Sequence, residues 1–173
     1  TMTSNATALK PNASALVSLL RRAREAQLAF LAELVKVPSD NPAGACRAHA
    51  MRAKRLLQAM RFKVEAHPVP AKNVMAAGMI SATNLIVRER FGSGKGPVIA
   101  LNAHGDVVPP GLGWTTAPYG AVIKNGHMFG RGVAVSKSDF ATYAFALAAL
   151  KAANARGKLQ LNGQIELHLT YDE

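Results

Sequence analysis

Hydrophobic residues recur at helical spacing near the start of the chain and again after its middle. The first stretch predicts a long amphipathic helix over 14–36, which ends near Pro38 because proline cannot continue a helix. A second helix is predicted over 44–60. Residues 138–153 are alanine-rich and apolar almost all round, which predicts a largely buried helix.

Shorter segments alternate between apolar and polar residues, or are continuously apolar, and these predict strands. They are Phe62–Val69, Asn84–Phe91, Val98–Ala103 and Gln164–Thr170. Residues 121–129 predict a hairpin with Asn125-Gly126 as its turn, whereas 70–82 fit neither pattern. The order of helices and strands indicates a layered α/β sheet.

Size and composition favour one folded domain. The chain has 173 residues, 49% of them hydrophobic, which is enough for a real core. Residues 1–13 are predicted to be a flexible tail, and they lack the charged-then-apolar order of a signal peptide. The single cysteine, Cys46, excludes an internal disulfide and favours a reducing compartment, here the cytoplasm. No apolar run is long enough to predict a membrane span.

The formal net charge of +11 raises the question of nucleic-acid binding. The basic residues are scattered, and few aromatic residues lie among them. We therefore expect no specific nucleic-acid partner, although a basic binding module is the alternative that steeply salt-dependent affinity would reveal.

The first candidate for chemistry is His104, which directly follows an apolar strand and precedes Asp106 by two positions. Residues two apart on an extended chain point to the same side, so the carboxylate of Asp106 could hold one ring nitrogen of His104. This is how a metal-binding histidine is commonly oriented. Taken alone, a histidine after a strand is more often a structural hydrogen-bonding residue than a metal ligand.

Further motifs change this interpretation, because together with the pair they resemble the M20 metallopeptidase family of carboxypeptidases, deacetylases, desuccinylases and aminoacylases. The motifs are His104-Gly105-Asp106-Val107-Val108-Pro109, Trp114, Pro118, Gly130-Arg131-Gly132, Lys137, Asn41-Pro42 and Thr170-x-Asp172-Glu173. They occur in the family's order over residues 14–173. The resemblance implies the N-terminal part of a zinc-peptidase-like catalytic domain, a three-layer α/β/α sandwich with a mixed sheet.

The resemblance also implies roles for particular residues. His104 would bind one of two metal ions, normally zinc, and Asp106 would orient its ring. Glu173 would be the general base for a metal-bound water, which two divalent ions would activate. The substrate would be a small peptide or an N-acyl amino acid, and the reaction amide hydrolysis.

One departure from the family pattern concerns the metals. The family's metal-bridging aspartate falls on Val135 here, and valine cannot bind a metal. Asp139, four residues on, is either a replacement ligand or an acid at a helix start, stabilised by the helix dipole. Val135 also supports an alternative function, a non-catalytic relative that binds or regulates with a degraded metal site.

A second departure is length, because the family's later ligands and its dimerisation domain are not in this chain. We therefore expect a fragment that is inactive alone. A sheet without its remaining strands exposes an edge, so we also expect a homo-oligomer or a companion chain that completes the sheet. Arg131, between two glycines, is interpreted as holding a loop rather than a substrate carboxylate.

Overall fold

The structure is a computed structural model that describes residues 10–172. Its helices are α1 (Lys10–Val35), α2 (Arg47–Ala59), α3 (Ala71–Ala76) and α4 (Lys137–Ala155). The three predicted helices are confirmed. Helix α1 begins four residues earlier than predicted, because a proline in the first turn, Pro11, costs no hydrogen bond there. Of the predicted tail, residues 1–9 lie outside the described part of the chain.

The strands are β1 (Val64–Pro68), β2 (Thr83–Phe91), β3 (Val98–His104), β4 (Val122–Lys124), β5 (His127–Phe129) and β6 (Gly163–Thr170). All the predicted strands are therefore present. The ambiguous stretch 70–82 contains the short helix α3, which is anchored by the buried side chain of Val74.

Four strands form one sheet in the order β1-β2-β6-β3. Strand β2 is antiparallel to β1 and to β6, whereas β3 is parallel to β6, so the sheet is mixed as predicted. Strands β4 and β5 form the predicted separate hairpin. Its turn residues Asn125 and Gly126 both have positive φ, at 51° and 76°, as a tight two-residue hairpin turn requires.

The core lies between one face of the sheet and the helices. Helix α2 lies against β1 and β2, helix α4 lies against β3 and β6, and α1 contacts both helices. The fully buried side chains at this interface include Leu34, Leu57, Leu85, Val87, Phe140, Leu147, Leu167 and Leu169. The described residues thus supply two of the three predicted layers.

The other face of the sheet is polar and carries a chain of ionic contacts across three strands. Arg88 on β2 contacts Glu65 on β1 and donates from Nε to Glu166 on β6 at 3.0 Å. His168 lies on this face, as predicted, with Nε2 2.7 Å from Glu166 Oε2. Arg88, and to a lesser degree His67, lower the pKa of Glu65, while His168 is the main cause that lowers the pKa of Glu166.

Candidate active site at the carboxyl edge of the sheet

The parallel pairing of β3 and β6 brings the candidate residues together. The last residue of β3, His104, lies opposite Thr170, the last residue of β6. The N–H of Gly105 then donates to the carbonyl of Thr170 at 2.9 Å, which continues the pairing past the strand end. Residues 104–107 and 170–172 therefore meet at the carboxyl edge of the sheet, where α/β proteins commonly place their ligand sites.

His104 and Asp106 are in contact, as the sequence predicts. Nδ1 of His104 lies 3.1 Å from the backbone carbonyl oxygen of Asp106 and 3.4 Å from its Oδ1. The imidazole is partly buried and Asp106 is almost fully buried. With Nδ1 directed at Asp106, Nε2 is the nitrogen that would bind a metal.

Both oxygens of the Asp106 carboxylate accept hydrogen bonds from other segments. Oδ2 accepts from Nδ2 of Asn41 at 3.1 Å, and Oδ1 accepts from the backbone N–H of Asp172 at 3.0 Å. Asn41 Nδ2 also lies 3.4 Å from Oδ1 of Asp172. Asp106 thus joins three segments of the chain and is fixed before any ligand binds.

The segment that carries Asn41 is itself held against the His104–Val107 turn by the backbone. The N–H of Val107 donates to the carbonyl of Ser39 at 3.0 Å, and the N–H of Asn41 donates to the carbonyl of Val107 at 2.8 Å. The hydroxyl of the fully buried Ser39 donates to the carbonyl of Gly105 at 2.7 Å. These bonds fix both sides of the turn.

Beneath the turn lies a buried His–Tyr pair. Nδ1 of His49, on α2, forms a 2.8 Å hydrogen bond with the hydroxyl of Tyr171, which follows β6. Burial is the main cause that holds the pKa of His49 well below its usual value and raises that of Tyr171 well above it. A Cβ on Gly105 would lie 2.7 Å from the Tyr171 ring and 2.9 Å from His49 Nδ1, so only glycine lets the turn approach this pair.

A second buried group, Lys137, lies at the start of α4. Its Nζ donates to the carbonyl of Val37 at 2.9 Å and lies 3.4 Å from that of Leu34. The ammonium is 5.7 Å from the centre of the Tyr119 ring, and the Tyr119 hydroxyl hydrogen-bonds the Asp40 carboxylate. Burial lowers the pKa of Lys137 to about 8, an effect that Asp40 partly opposes.

The structure places Val135 and Asp139 in different environments. Val135 is 66% exposed, and its peptide bond to Ser136 is cis. Asp139 lies in the first turn of α4, where its Oδ2 accepts from the hydroxyl of Ser136 at 2.9 Å while its N–H donates to the Ser136 carbonyl. A carboxylate in the first turn of a helix is stabilised by the helix dipole, as the second interpretation of Asp139 predicts.

Arg131 holds a loop, as predicted. Its Nη2 donates to the carbonyls of Pro109 and Pro110 at 3.1 and 3.2 Å, and its guanidinium lies 5.6 Å from the Trp114 ring centre. Trp114 Nε1 donates to the same Pro110 carbonyl at 2.8 Å. The loop after Asp106 is therefore stabilised from two sides.

Several residues that shape the site were not predicted from the sequence. His49 was interpreted as an ordinary helix residue, and neither Ser39 nor Tyr171 was assigned a role. Their contacts join positions far apart in the chain, so no local pattern reveals them. The one available signal was that Ser39, Asn41 and Tyr171 lie beside the motifs already recognised.

The donor set fits a metal only in part. An imidazole whose Nδ1 is directed at the backbone carbonyl and the nearby carboxylate of one residue, as in His104, matches one metal ligand with its orienting partner. Within residues 10–172, however, no group of three or more His, Cys, Asp or Glu side chains is placed to hold a metal ion. Glu173, the predicted general base, lies outside the described residues. The described residues therefore match one predicted ligand and its orienting partner, and we derive no catalytic step through a metal.

Comparison with known proteins gives the class that this chain is similar to, a family of peptidases. The sequence model described as "Peptidase family M20/M25/M40" matches residues 100–173, which include the whole His104–Lys137 region. The chain is 38% identical to succinyl-diaminopimelate desuccinylase of Acidiphilium cryptum over 119 residues, 69% of this chain and 27% of the relative. The same enzyme of Rhodospirillum rubrum is 32% identical over 150 residues, 84% of this chain and 36% of the relative.

Solved structures agree on the fold. An M20 family metallo-carboxypeptidase of Sulfolobus solfataricus has a TM-score of 0.65 at 22% identity, covering 83% of this chain and 30% of that one. The dipeptidase Dug1p of Saccharomyces cerevisiae has a TM-score of 0.67 at 14% identity, covering 91% of this chain and 34% of that one. This chain belongs to the M20 peptidase family, and it spans about a third of the length of the relatives it matches.

The helices show no membrane-spanning character. Across residues 10–172, none combines the length and the apolar composition that crossing a bilayer requires.

Proposed function

We propose that this chain supplies part of the active site of a metal-dependent hydrolase that cleaves amide or peptide bonds. The observation that carries the proposal is the His104 imidazole at the carboxyl edge of the sheet, whose Nδ1 lies 3.1 Å from the backbone carbonyl oxygen and 3.4 Å from Oδ1 of the buried Asp106. Family membership and the names of the relatives support it. The substrate we propose is a small peptide or an N-acyl amino acid.

In this proposal each residue has a distinct task. His104 would supply one metal ligand through Nε2, and Asp106 would fix the ring so that Nε2 keeps its direction. Glu173 would accept the proton of the attacking water, the role it has by resemblance. A bound zinc would polarise the substrate carbonyl and lower the pKa of that water.

Asp139 is the weakest member of the predicted set. Its contact with Ser136 supports the alternative that it stabilises the start of α4. The remaining ligands would therefore come from outside residues 10–172. For the same reason we expect the 173-residue chain to be inactive alone. We also keep the cytoplasm as the proposed location, since Cys46 is a free, buried thiol.

The test is hydrolysis by a longer protein, made by extending this chain to the length of its desuccinylase relatives and loaded with zinc or cobalt, on N-succinyl and N-acetyl amino acids and on dipeptides. We expect turnover that His104→Ala abolishes and that Asp106→Ala lowers by about 10- to 100-fold. His127→Ala is the matched control, because His127 lies in the exposed β4–β5 hairpin. Equal activity of His104→Ala and the unsubstituted protein would overturn the proposal.

The exposed Val135 favours a second candidate, a non-catalytic relative with a degraded metal site. Metal analysis of the longer protein after dialysis separates the two functions. Two tightly held ions per chain are expected of the enzyme, and none of the binding protein.

A further inference from the structure

The side chain of Lys137 is fully buried, yet none of the roles above uses it. A buried ammonium loses its hydration, so it needs replacement acceptors inside the protein. Two backbone carbonyls, Leu34 and Val37, and the face of the Tyr119 ring provide them. Lys137 has no carboxylate within salt-bridge distance among the described residues, so it cannot be explained as half of an ion pair.

The nearer of the two carbonyl acceptors of Lys137, that of Val37, lies on the segment that holds Asp106. Val37 begins the stretch after α1 that runs through Ser39 to Asn41. That stretch pairs with Val107 through two backbone hydrogen bonds. It also bonds Asp106 through the Asn41 side chain. The ammonium of Lys137 is therefore connected to the carboxylate of Asp106 by a hydrogen bond at Val37, the backbone from Val37 to Asn41, and a hydrogen bond from Asn41.

A second connection runs through van der Waals contact. A Cβ on Gly132 would lie 2.8 Å from Cγ1 of Val107 and 3.1 Å from Cδ of Lys137. Gly132 thus lies between the stem of Lys137 and the residue after Asp106, with no room for a side chain. The Gly130–Gly132 turn, the start of α4 and the His104–Val107 turn meet around this lysine.

We propose that Lys137 is a positioning residue, which fixes the His104–Asp106 pair by anchoring the Val37–Asn41 segment. The side chain of Lys137 extends from α4 to the end of α1, where its hydrogen bond to the Val37 carbonyl holds the Val37–Asn41 segment in position. Asn41 then meets Asp106 Oδ2, and Asp106 in turn meets His104. The inference concerns the placement of the pair and does not rest on the proposed hydrolase activity.

The test compares two lysine-to-methionine variants of the 173-residue chain by nuclear magnetic resonance. Lys137→Met keeps the length of the side chain and removes its charge and donors. Lys151→Met is the matched control, because Lys151 is also on α4 and also lies over an aromatic ring, 5.0 Å from the centre of Phe62. The readouts are the ring nitrogens of His104 and the amides of Val107 and Asp172.

We expect Lys137→Met to displace all these signals and Lys151→Met to leave them in place. The ring of His168, on the opposite face of the sheet, should move in neither variant. If Lys137 serves only to cap α1, Lys137→Met will move the amides of Lys36 and Val37 without moving the His104 ring. That result would overturn the proposal.

Two further measurements keep the test decisive. Ser39→Ala removes another contact between the Val37–Asn41 segment and the His104–Val107 turn, the hydrogen bond from the Ser39 hydroxyl to the Gly105 carbonyl. Its effect on the His104 ring should be non-additive with that of Lys137→Met. If Lys137→Met does not fold, the unsubstituted chain provides the test. The protons of its Lys137 ammonium should exchange slowly with water and show scalar coupling to the Val37 carbonyl. A rapidly exchanging, uncoupled ammonium would refute the inference.

Discussion

The backbone N–H of Asp172 donates to Oδ1 of Asp106 at 3.0 Å, which joins the ends of two parallel strands through one buried carboxylate. The other oxygen accepts from the amide of Asn41. Asp106 therefore acts only as an acceptor. The backbone N–H of Asp172 can only donate, and the Asn41 amide could reverse its role only by giving up its contact with Oδ1 of Asp172.

This geometry predicts the effect of Asp106→Asn. An asparagine would direct its NH₂ at one of the two donors, so a buried hydrogen bond would be lost. We expect unfolding in urea to show a loss of about 1–3 kcal/mol. Asp139→Asn is the matched control, because the Ser136 hydroxyl can either donate or accept, and it should change stability by less than about 0.5 kcal/mol. Equal effects of the two variants would contradict this account.

The His49–Tyr171 pair predicts a cost for removing one hydroxyl. Tyr171→Phe leaves Nδ1 of a fully buried histidine without its partner, so we expect a loss of about 1–3 kcal/mol in the free energy of unfolding. Tyr143→Phe, on α4, is the control, because its hydroxyl forms no hydrogen bond within residues 10–172. A Tyr171→Phe protein as stable as Tyr143→Phe would show that the pair contributes nothing.

The lowered pKa of His49 predicts a dependence of stability on pH. Below the ordinary histidine pKa of about 6.5, the unfolded chain binds a proton that the folded protein does not. Stability should therefore fall as pH drops from 7 to 5, by up to about 1.4 kcal/mol per pH unit from this group. His49→Gln should reduce that slope while His127→Gln should not. Parallel pH profiles for His49→Gln and the unsubstituted chain would rule this out.

Cys46 is predicted to be unreactive. Its thiol is fully buried, and burial, with a smaller contribution from Asp106, raises its pKa to about 12. Because the thiolate is the nucleophile, iodoacetamide at pH 8 should modify the native chain slowly and the urea-unfolded chain rapidly. Modification of the native and unfolded protein at equal rates would contradict the buried position.

Strand β3 predicts self-association. It lies at the edge of the sheet, and its residues Val98 and Ile99 are 62% and 52% exposed. We expect sedimentation velocity to show concentration-dependent association of the 173-residue chain, weakened by Ile99→Lys because a charge blocks edge pairing. Ile123→Lys, in the β4–β5 hairpin at 57% exposure, is the matched control. A monomer at all concentrations would refute the expectation.

Local patterns predicted much of this fold because hydrophobic residues repeat at one spacing in helices and at another in strands. The alternation of Gln164–Thr170 predicts a strand and places His168 on the face opposite Leu167 and Leu169, as observed. The short helix α3 was missed, since six residues with a single buried side chain show no period.

For the site, the sequence predicted the His104–Asp106 contact because the two residues are only two positions apart. It could not predict the partners of Asp106, since Asn41 and Asp172 lie about 65 residues away on either side. The buried Lys137 was also missed as a contact of α1. The motif that follows Gly130-Arg131-Gly132 singles out Lys137. The position of its ammonium depends on how α4 packs against α1, which no local pattern reveals.

The parallel register of β3 and β6 has a consequence for how the protein is made. During synthesis, residues 98–107 leave the ribosome long before residues 163–172. At that stage Asp106 can bond Asn41, and the N–H of Asp172 is not yet available. The geometry around the His104–Asp106 pair is completed only when β6 inserts between β2 and β3. A chain interrupted before Gly163 would contain the His104–Asp106 motif and yet lack β6, the strand whose end pairs with His104 and leads to Asp172.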